Sequence, residues 1–165
     1  MSTDRNIGLD DGLVDLACVL LQGNVYAIEV PYLREIVHCQ KVTPLPKAPA
    51  LIEGVIDLRG AVVPVVDLGT VLSGERVKED ERARIAVVSV EGLVFGLRIE
   101  AATHVLSIEA TRLEEPPALA TQSGYDAVRA VLRRENDVPV LVLSMDHVLE
   151  AIYRSARPAP EGCTS

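Results

Sequence analysis

Two stretches of this chain carry the same apolar hairpin plan, and that repetition constrains the fold more than any other feature. LACVLLQ (16–22), a Gly23-Asn24 turn and VYAIEV (25–30) make two β-prone runs. IAVVSV (85–90), Glu91-Gly92 and LVFGLRI (93–99) repeat the arrangement. The segments align without a gap at an offset of 69. Of the 14 pairs from Ala17/Ala86 to Val30/Ile99, four are identical and six more are apolar or small on both sides. Along the returning strands, Tyr26, Ile28 and Val30 share one face, as do Phe95, Leu97 and Ile99, with Arg98 pointing the opposite way.

A second hairpin follows each first one. VIDL (55–58), Arg59-Gly60 and AVVPVVDL (61–68) answer to AVRAVLRR (127–134), Glu135-Asn136-Asp137 and VPVLVL (138–143). Pro64 and Pro139 cannot donate to a ladder, which places them at an edge or a bulge. On spacing alone, Ala127–Arg134 also suits an amphipathic helix; the hairpin correspondence favours a strand. Two pseudo-equivalent β subdomains follow from the matched order of hairpin, connection and hairpin. Helix is expected only in short pieces. Pro49–Gly54 suits a one-turn helix, with Pro at its start and Gly after its end, and Ser144 can cap a helix through Met145–Tyr153 with Val148, Leu149 and Ile152 facing the core.

The composition suits such a fold and excludes others. The 165 residues make one folding unit, 48% hydrophobic but only 3% aromatic, so its core is aliphatic. A formal charge of −8 argues against a nucleic-acid or anionic-membrane binder, and the absence of Trp argues against a base-stacking platform. No apolar run approaches the roughly 18 residues of a membrane span, and the N-terminus lacks a secretory h-region. Cys18, Cys39 and Cys163 are widely spaced, without a C-x-x-C motif, which points to a reducing cytoplasm. Residues 1–12 and 155–165 read as flexible tails around a domain at 13–154, and the charged run Glu75–Arg84 as a solvated connection.

The segment from Val42 to Leu68 is the most distinctive. Its tight turn offers Arg59 on a stiff aliphatic hairpin, with Gly60 supplying a positive φ. It contains Ile52, Gly54-Val55, Leu58-Arg59-Gly60, Val63-Pro64-Val65 and Asp67-Leu68. In this pattern the chain resembles the CheW-type chemotaxis adaptor family. The resemblance extends through YAIEVPYLREIV (26–37), VFGLRIEAATHVLSI (94–108) and VPVLVLSMDHVL (138–149), covering roughly residues 13–152. It implies a mainly β fold of two SH3-like five-stranded barrels sharing an aliphatic core, with short helices including one near the C-terminus. It also implies a cytoplasmic, non-catalytic adaptor, needing no cofactor or metal, that links chemoreceptor signalling tips to the regulatory domain of a CheA-type histidine kinase. Leu33, Glu35, Ile36, Arg59 and Gly60 fall on the family's receptor-contact positions, with Ala102 and Val105 across the groove between the barrels. Where the family often has Asp-Gly-Val, this chain has Glu100-Ala101-Ala102, which alters that wall of the groove.

Two other readings follow from the residues. A CheW-like scaffold can also serve a chemosensory pathway that controls pili, development or a second messenger. Asp67-Leu68-Gly69-Thr70, after an apolar strand, is similar to the Asp-Thr/Ser-Gly loop of aspartic proteases, but Leu68 stands where the hydroxyl residue belongs. The alternative for Asp67 is a strand-end carboxylate that accepts backbone hydrogen bonds. His38 and Cys39 are strand neighbours on opposite faces and would not chelate one ion together.

Overall fold

Three two-residue turns organise the chain, each a non-glycine residue followed by Gly. Gln22-Gly23, Arg59-Gly60 and Glu91-Gly92 have φ of 54° and 83°, 52° and 88°, and 53° and 81°. Positive φ at both residues is what a type I′ turn requires, and its twist matches that of the strands it joins. The computed structural model describes residues 12–117 and 127–155. There the turns join β1 (Leu13–Leu21) to β2 (Asn24–Glu29), β4 (Ile52–Leu58) to β5 (Ala61–Asp67), and β6 (Arg84–Val90) to β7 (Leu93–Ile99). The first turn lies one residue before the expected Gly23-Asn24, with Leu21 opposite Asn24. Gly is favoured at the second turn position, and this shift puts it there.

The remaining strands are β3 (Leu33–His38), β8 (Ala101–Glu109), β9 (Leu113–Glu114), β10 (Val128–Leu132) and β11 (Val140–Leu143). Residues 128–132 are therefore strand, as the hairpin correspondence favours. The strands form two sheets, ordered β8-β1-β2-β11-β10-β9 and β3-β6-β7-β5-β4. The pair is the mainly β, two-subdomain architecture expected, with β9 as a two-residue addition to the first sheet. The sheets are not one per half of the chain, however. Each first hairpin sits in the sheet of the other half, so β1–β2 joins β8, β10 and β11 while β6–β7 joins β3, β4 and β5. The contacts β2–β11 and β5–β7 are parallel. Pro64 pairs with Val55 just ahead of the β5–β7 ladder, which starts at Val65↔Gly96, and Pro139 immediately precedes β11.

Packing explains why the first hairpins are apolar on both faces. Val19, Leu21, Tyr26 and Ile28 meet Ala86, Val88, Phe95 and Leu97 in a cluster between the sheets. On their other face, Leu16, Cys18, Val25 and Ala27 pack inside the first sheet against Ala130, Leu132 and Val140. Ile85 and Val87 do the same in the second sheet with Ile56, Val63 and Val65. Each Val, Leu, Ile or Phe among them contributes about 1.5–3 kcal/mol when fully buried.

Among the described residues, helix is confined to α1 (Leu68–Ser73) and α2 (Met145–Ser155), with isolated 3₁₀ turns at Val30–Tyr32 and Ala110–Arg112. Ser144 caps α2 through its Oγ, which accepts from the His147 N–H at 3.4 Å, and Val148, Leu149 and Ile152 are buried as expected. No helix forms over Pro49–Gly54. The Ile52 N–H closes one turn on the Pro49 carbonyl at 3.0 Å, and the chain then enters β4. Gly54 lies inside that strand at a register shift, beneath Thr43, whose backbone exchanges two 2.8 Å hydrogen bonds with Val55. A Cβ at position 54 would stand 2.2 Å from the Thr43 carbonyl oxygen. The glycine permits a close backbone approach rather than ending a helix. The charged run is a connection, as expected, but Val77 within it is buried. The tails expected at 1–12 and 155–165 lie outside the described residues, Gly12 and Ser155 excepted.

Candidate partner-binding site

The edge strands β3 and β8 occupy equivalent places in the two sheets, each flanking the first strand of a central hairpin. Both pairings carry a one-residue irregularity, between Leu33 and Glu35 in β3 and opposite Ala17 to Val19 in β8. A bulge shifts the alternation, so residues three apart return to one face. Leu33 lies opposite Val88 and Ile36 opposite Ala86. Ala102 lies opposite Val19 and Val105 opposite Ala17. Val88, Ala86 and Val19 belong to the cluster between the sheets, and directly opposed residues share a face. All four predicted apolar residues thus sit on the inter-sheet faces of the two outer strands. Leu33 packs against that cluster, while Ile36 is at 36% exposure and Val105 at 62%. Apolar side chains are left unburied at both edges.

Glu35 is on the other face. It opposes Val87, which belongs to the second sheet's own cluster. Its carboxylate accepts a hydrogen bond from Arg59 Nη2, tying the β4–β5 turn to β3. The Arg59 side chain remains 70% exposed. Asp57, which the sequence reading passed over, steadies this turn: its Oδ1 accepts from the Gly60 N–H at 2.9 Å. The D-x-x-G spacing carries that signal, because an Asp side chain readily reaches a backbone N–H three residues on. Across the strands from Asp57 stands Val62, which is exposed.

Near β8 an open groove of about 300 Å³ is lined by Leu20, Ala101, Ala102 and Thr103 together with Glu81, Arg82 and Arg84. Ala101 and Ala102 both line it, Ala102 exposed and Ala101 largely buried. The departure at Glu100-Ala101-Ala102 therefore falls on a groove wall, where a methyl group leaves more room than a larger side chain.

The buried charges have structural partners. Asp67 Oδ1 accepts from the Thr70 N–H at 2.9 Å and the Val77 N–H at 3.1 Å, capping α1 and anchoring the connection beyond it. That is the backbone-accepting role set against the protease-like reading. Arg98, also buried, was read only as facing away from Phe95 and Leu97. It donates to Glu53 Oε1 through Nη2 at 2.8 Å, to Glu79 Oε2 through Nη1 at 3.0 Å, and meets Cys39 Sγ at 3.5 Å. Arg76 Nη1 lies 2.6 Å from Glu53 Oε2 without hydrogen-bond alignment. Burial works against the charge of Arg98, but the hydrogen bond and charge of Glu53, with Glu79, outweigh it and raise its pKa. Burial pushes the Cys39 thiol up, offset only in part by Arg98. Among the described residues, no group of three or more His, Cys, Asp or Glu is placed to hold a metal ion.

The geometry has known counterparts. Residues 15–152 match the family model described as a CheW-like domain. A chemotaxis protein CheW of Rhizobium meliloti is 30% identical over 148 residues, spanning 90% of this chain and 95% of that protein. Another, of Treponema pallidum, is 26% identical and covers 78% of each chain. Among solved structures, the scaffolding protein TtCheW of Thermoanaerobacter tengcongensis has the same fold, with a TM-score of 0.72 at 24% identity over 82% of this chain and 86% of that one. This chain belongs to the CheW-like domain family, the adaptors of chemotaxis signalling.

Proposed function

We propose that the protein works by binding alone, coupling the cytoplasmic signalling tips of chemoreceptors to the regulatory domain of a CheA-type histidine kinase. The unit that does so spans residues 13–154, with the tails outside it. Its place of action is the cytoplasmic side of receptor arrays. Among the described residues no helix is long and apolar enough to cross a membrane. What most supports this reading is the matched placement of Leu33 and Ile36 on β3 and of Ala102 and Val105 on β8, apolar side chains at two sheet edges. Such groups supply affinity, while a charged rim sets orientation and partner choice. Arg59 is the rim charge here. Its guanidinium can donate in a planar fork, which Lys does not replicate, and Gly60 and Asp57 hold its turn in place.

The direct test is co-purification with a cognate CheA-type kinase, with and without a receptor signalling-tip fragment. Both are expected to be retained; retention of neither overturns the reading. Arg59→Glu is expected to leave the circular dichroism spectrum unchanged, since an exposed ion pair is worth about 0–1 kcal/mol. It should weaken coupling by roughly tenfold, the equivalent of about 1.4 kcal/mol. Wild-type affinity of the folded variant for both partners counts against a contact role for Arg59.

A further inference from the structure

The pairings that close the two sheets join the first half of the chain to the second. β1 pairs with β8, β2 with β11, β3 with β6, and β5 with β7. Without them the first half keeps the hairpins β1–β2 and β4–β5 and the bridge from Thr43 to Val55. The second half keeps β6–β7 and the run β9–β10–β11. A two-stranded hairpin alone is marginal in water. The core divides the same way: Leu16 packs with Val140, Ile56 with Ile85, and Val66 with Leu97, one pair from each cluster. Each half is the complement of the other.

Residues 74–83 connect the halves and pair in neither sheet. The first part of this connection is docked on the first half, through Val77 on Asp67 and Arg76 on Glu53. Its last part reverses the chain at Asp80. There the Ala83 N–H donates to the Asp80 carbonyl at 3.0 Å, and the Arg82 N–H to Asp80 Oδ1 at 2.8 Å. Extending that reversal breaks these bonds and the one from Arg84 Nη1 to the Glu81 carbonyl. The strand pairings between the halves, and the contact of Arg98 with Glu53 and Glu79, all cross from residues before Asp80 to residues after Ala83, so none depends on the reversal itself.

We propose that a second copy of this chain is the partner that fits the sheet edges of each half, in an exchanged dimer hinged at Asp80–Ala83. Residues 12–79 of one copy close both sheets with residues 83–155 of the other, so the dimer carries two complete binding units. In the monomer the tether favours the same pairings internally by holding the halves at high effective concentration. A connection too short to reverse removes that advantage and leaves exchange as the way to close the sheets.

The test is deletion of Asp80–Arg82 from the full chain, with mass measured by light scattering. Asp15 and Ser107, opposed across β1 and β8, are replaced by Cys to report which chain supplies each half, with Cys39 and Cys163 changed to Ser. The expected result is a folded species of twice the monomer mass whose new disulfide links two chains on a non-reducing gel. A folded monomer, or a dimer whose disulfide lies within one chain, overturns the proposal. If the shortened chain does not fold, a protease site inserted after Asp80 in the full chain decides. After cleavage, the two pieces separated in denaturant and remixed are expected to regain the native spectrum as a single complex. Failure to reassociate overturns the proposal.

Discussion

At position 98 an arginine occupies a strand whose neighbours are aliphatic, and its burial is tolerated because Glu53 and Glu79 meet its guanidinium. Removing one member of a buried pair leaves the other charge uncompensated, which typically costs about 3–5 kcal/mol. Arg98→Met is expected to lose about 3 kcal/mol in urea unfolding, and the double variant Arg98→Met/Glu53→Leu to recover most of it. A double variant as unstable as the single one would mean that the loss comes from packing and not from charge. Gly54 is the second residue whose environment sets its identity. Gly54→Ala is expected to lose at least about 2 kcal/mol, because the Thr43 carbonyl is backbone and cannot swing aside. Of these two, the glycine was legible in the motif but assigned the wrong reason, as a helix end. The arginine's outward direction was legible, yet its carboxylate partners lie 45 and 19 residues away, a pairing that periodicity does not encode.

The elements themselves were largely legible, because a hairpin is a local object. The apolar runs, the Arg59-Gly60 and Glu91-Gly92 turns and the Ser144 cap depend on neighbours in sequence. Even the misplaced first turn was recoverable, since the repeat aligns Gly23 with Gly92, the second residue of its turn. The motif named the candidate site residues, but the faces on which they lie were not legible. The bulges that bring Leu33 with Ile36, and Ala102 with Val105, to the inter-sheet side come from cross-strand register. The reversal at Asp80 also belongs to this scale. The backbone N–H of Arg82 bonds to the Asp80 carboxylate and, with the Arg82 side chain, lowers its pKa. Its contribution to the turn is therefore full above the ordinary Asp range and is lost as pH falls through the lower folded value. In a carboxyl NMR titration, the midpoint of Asp80 should lie below the usual value of about 3.9. Arg82→Pro, which deletes the N–H, should return it further toward that value than Arg82→Ala does. An equal response to both would assign the effect to the side chain.

Across the whole molecule, repetition told of two subdomains and left open which strands compose each. Similarity at an offset of 69 says that two hairpins are alike, not that they trade sheets. The trade gives the core clusters contributors from both halves, so the two sheets should not melt separately. Tyr26, buried between them, serves as a probe where Trp is lacking, in a variant with Tyr32, Tyr125 and Tyr153 changed to Phe. Its fluorescence and the far-ultraviolet circular dichroism are expected to trace one coincident urea transition. Two separated transitions would contradict the shared core. The parallel contact of β2 with β11 also bears on how the chain is made. A ribosome releases β11 long after β2, and at about 5–20 residues per second the stretch from Ser73 to Leu143 takes on the order of 4–14 s to synthesise. Through that interval β2 is paired with β1 but lacks its parallel neighbour β11. The first sheet is therefore completed only late in synthesis, and its open side is exposed to solvent until then.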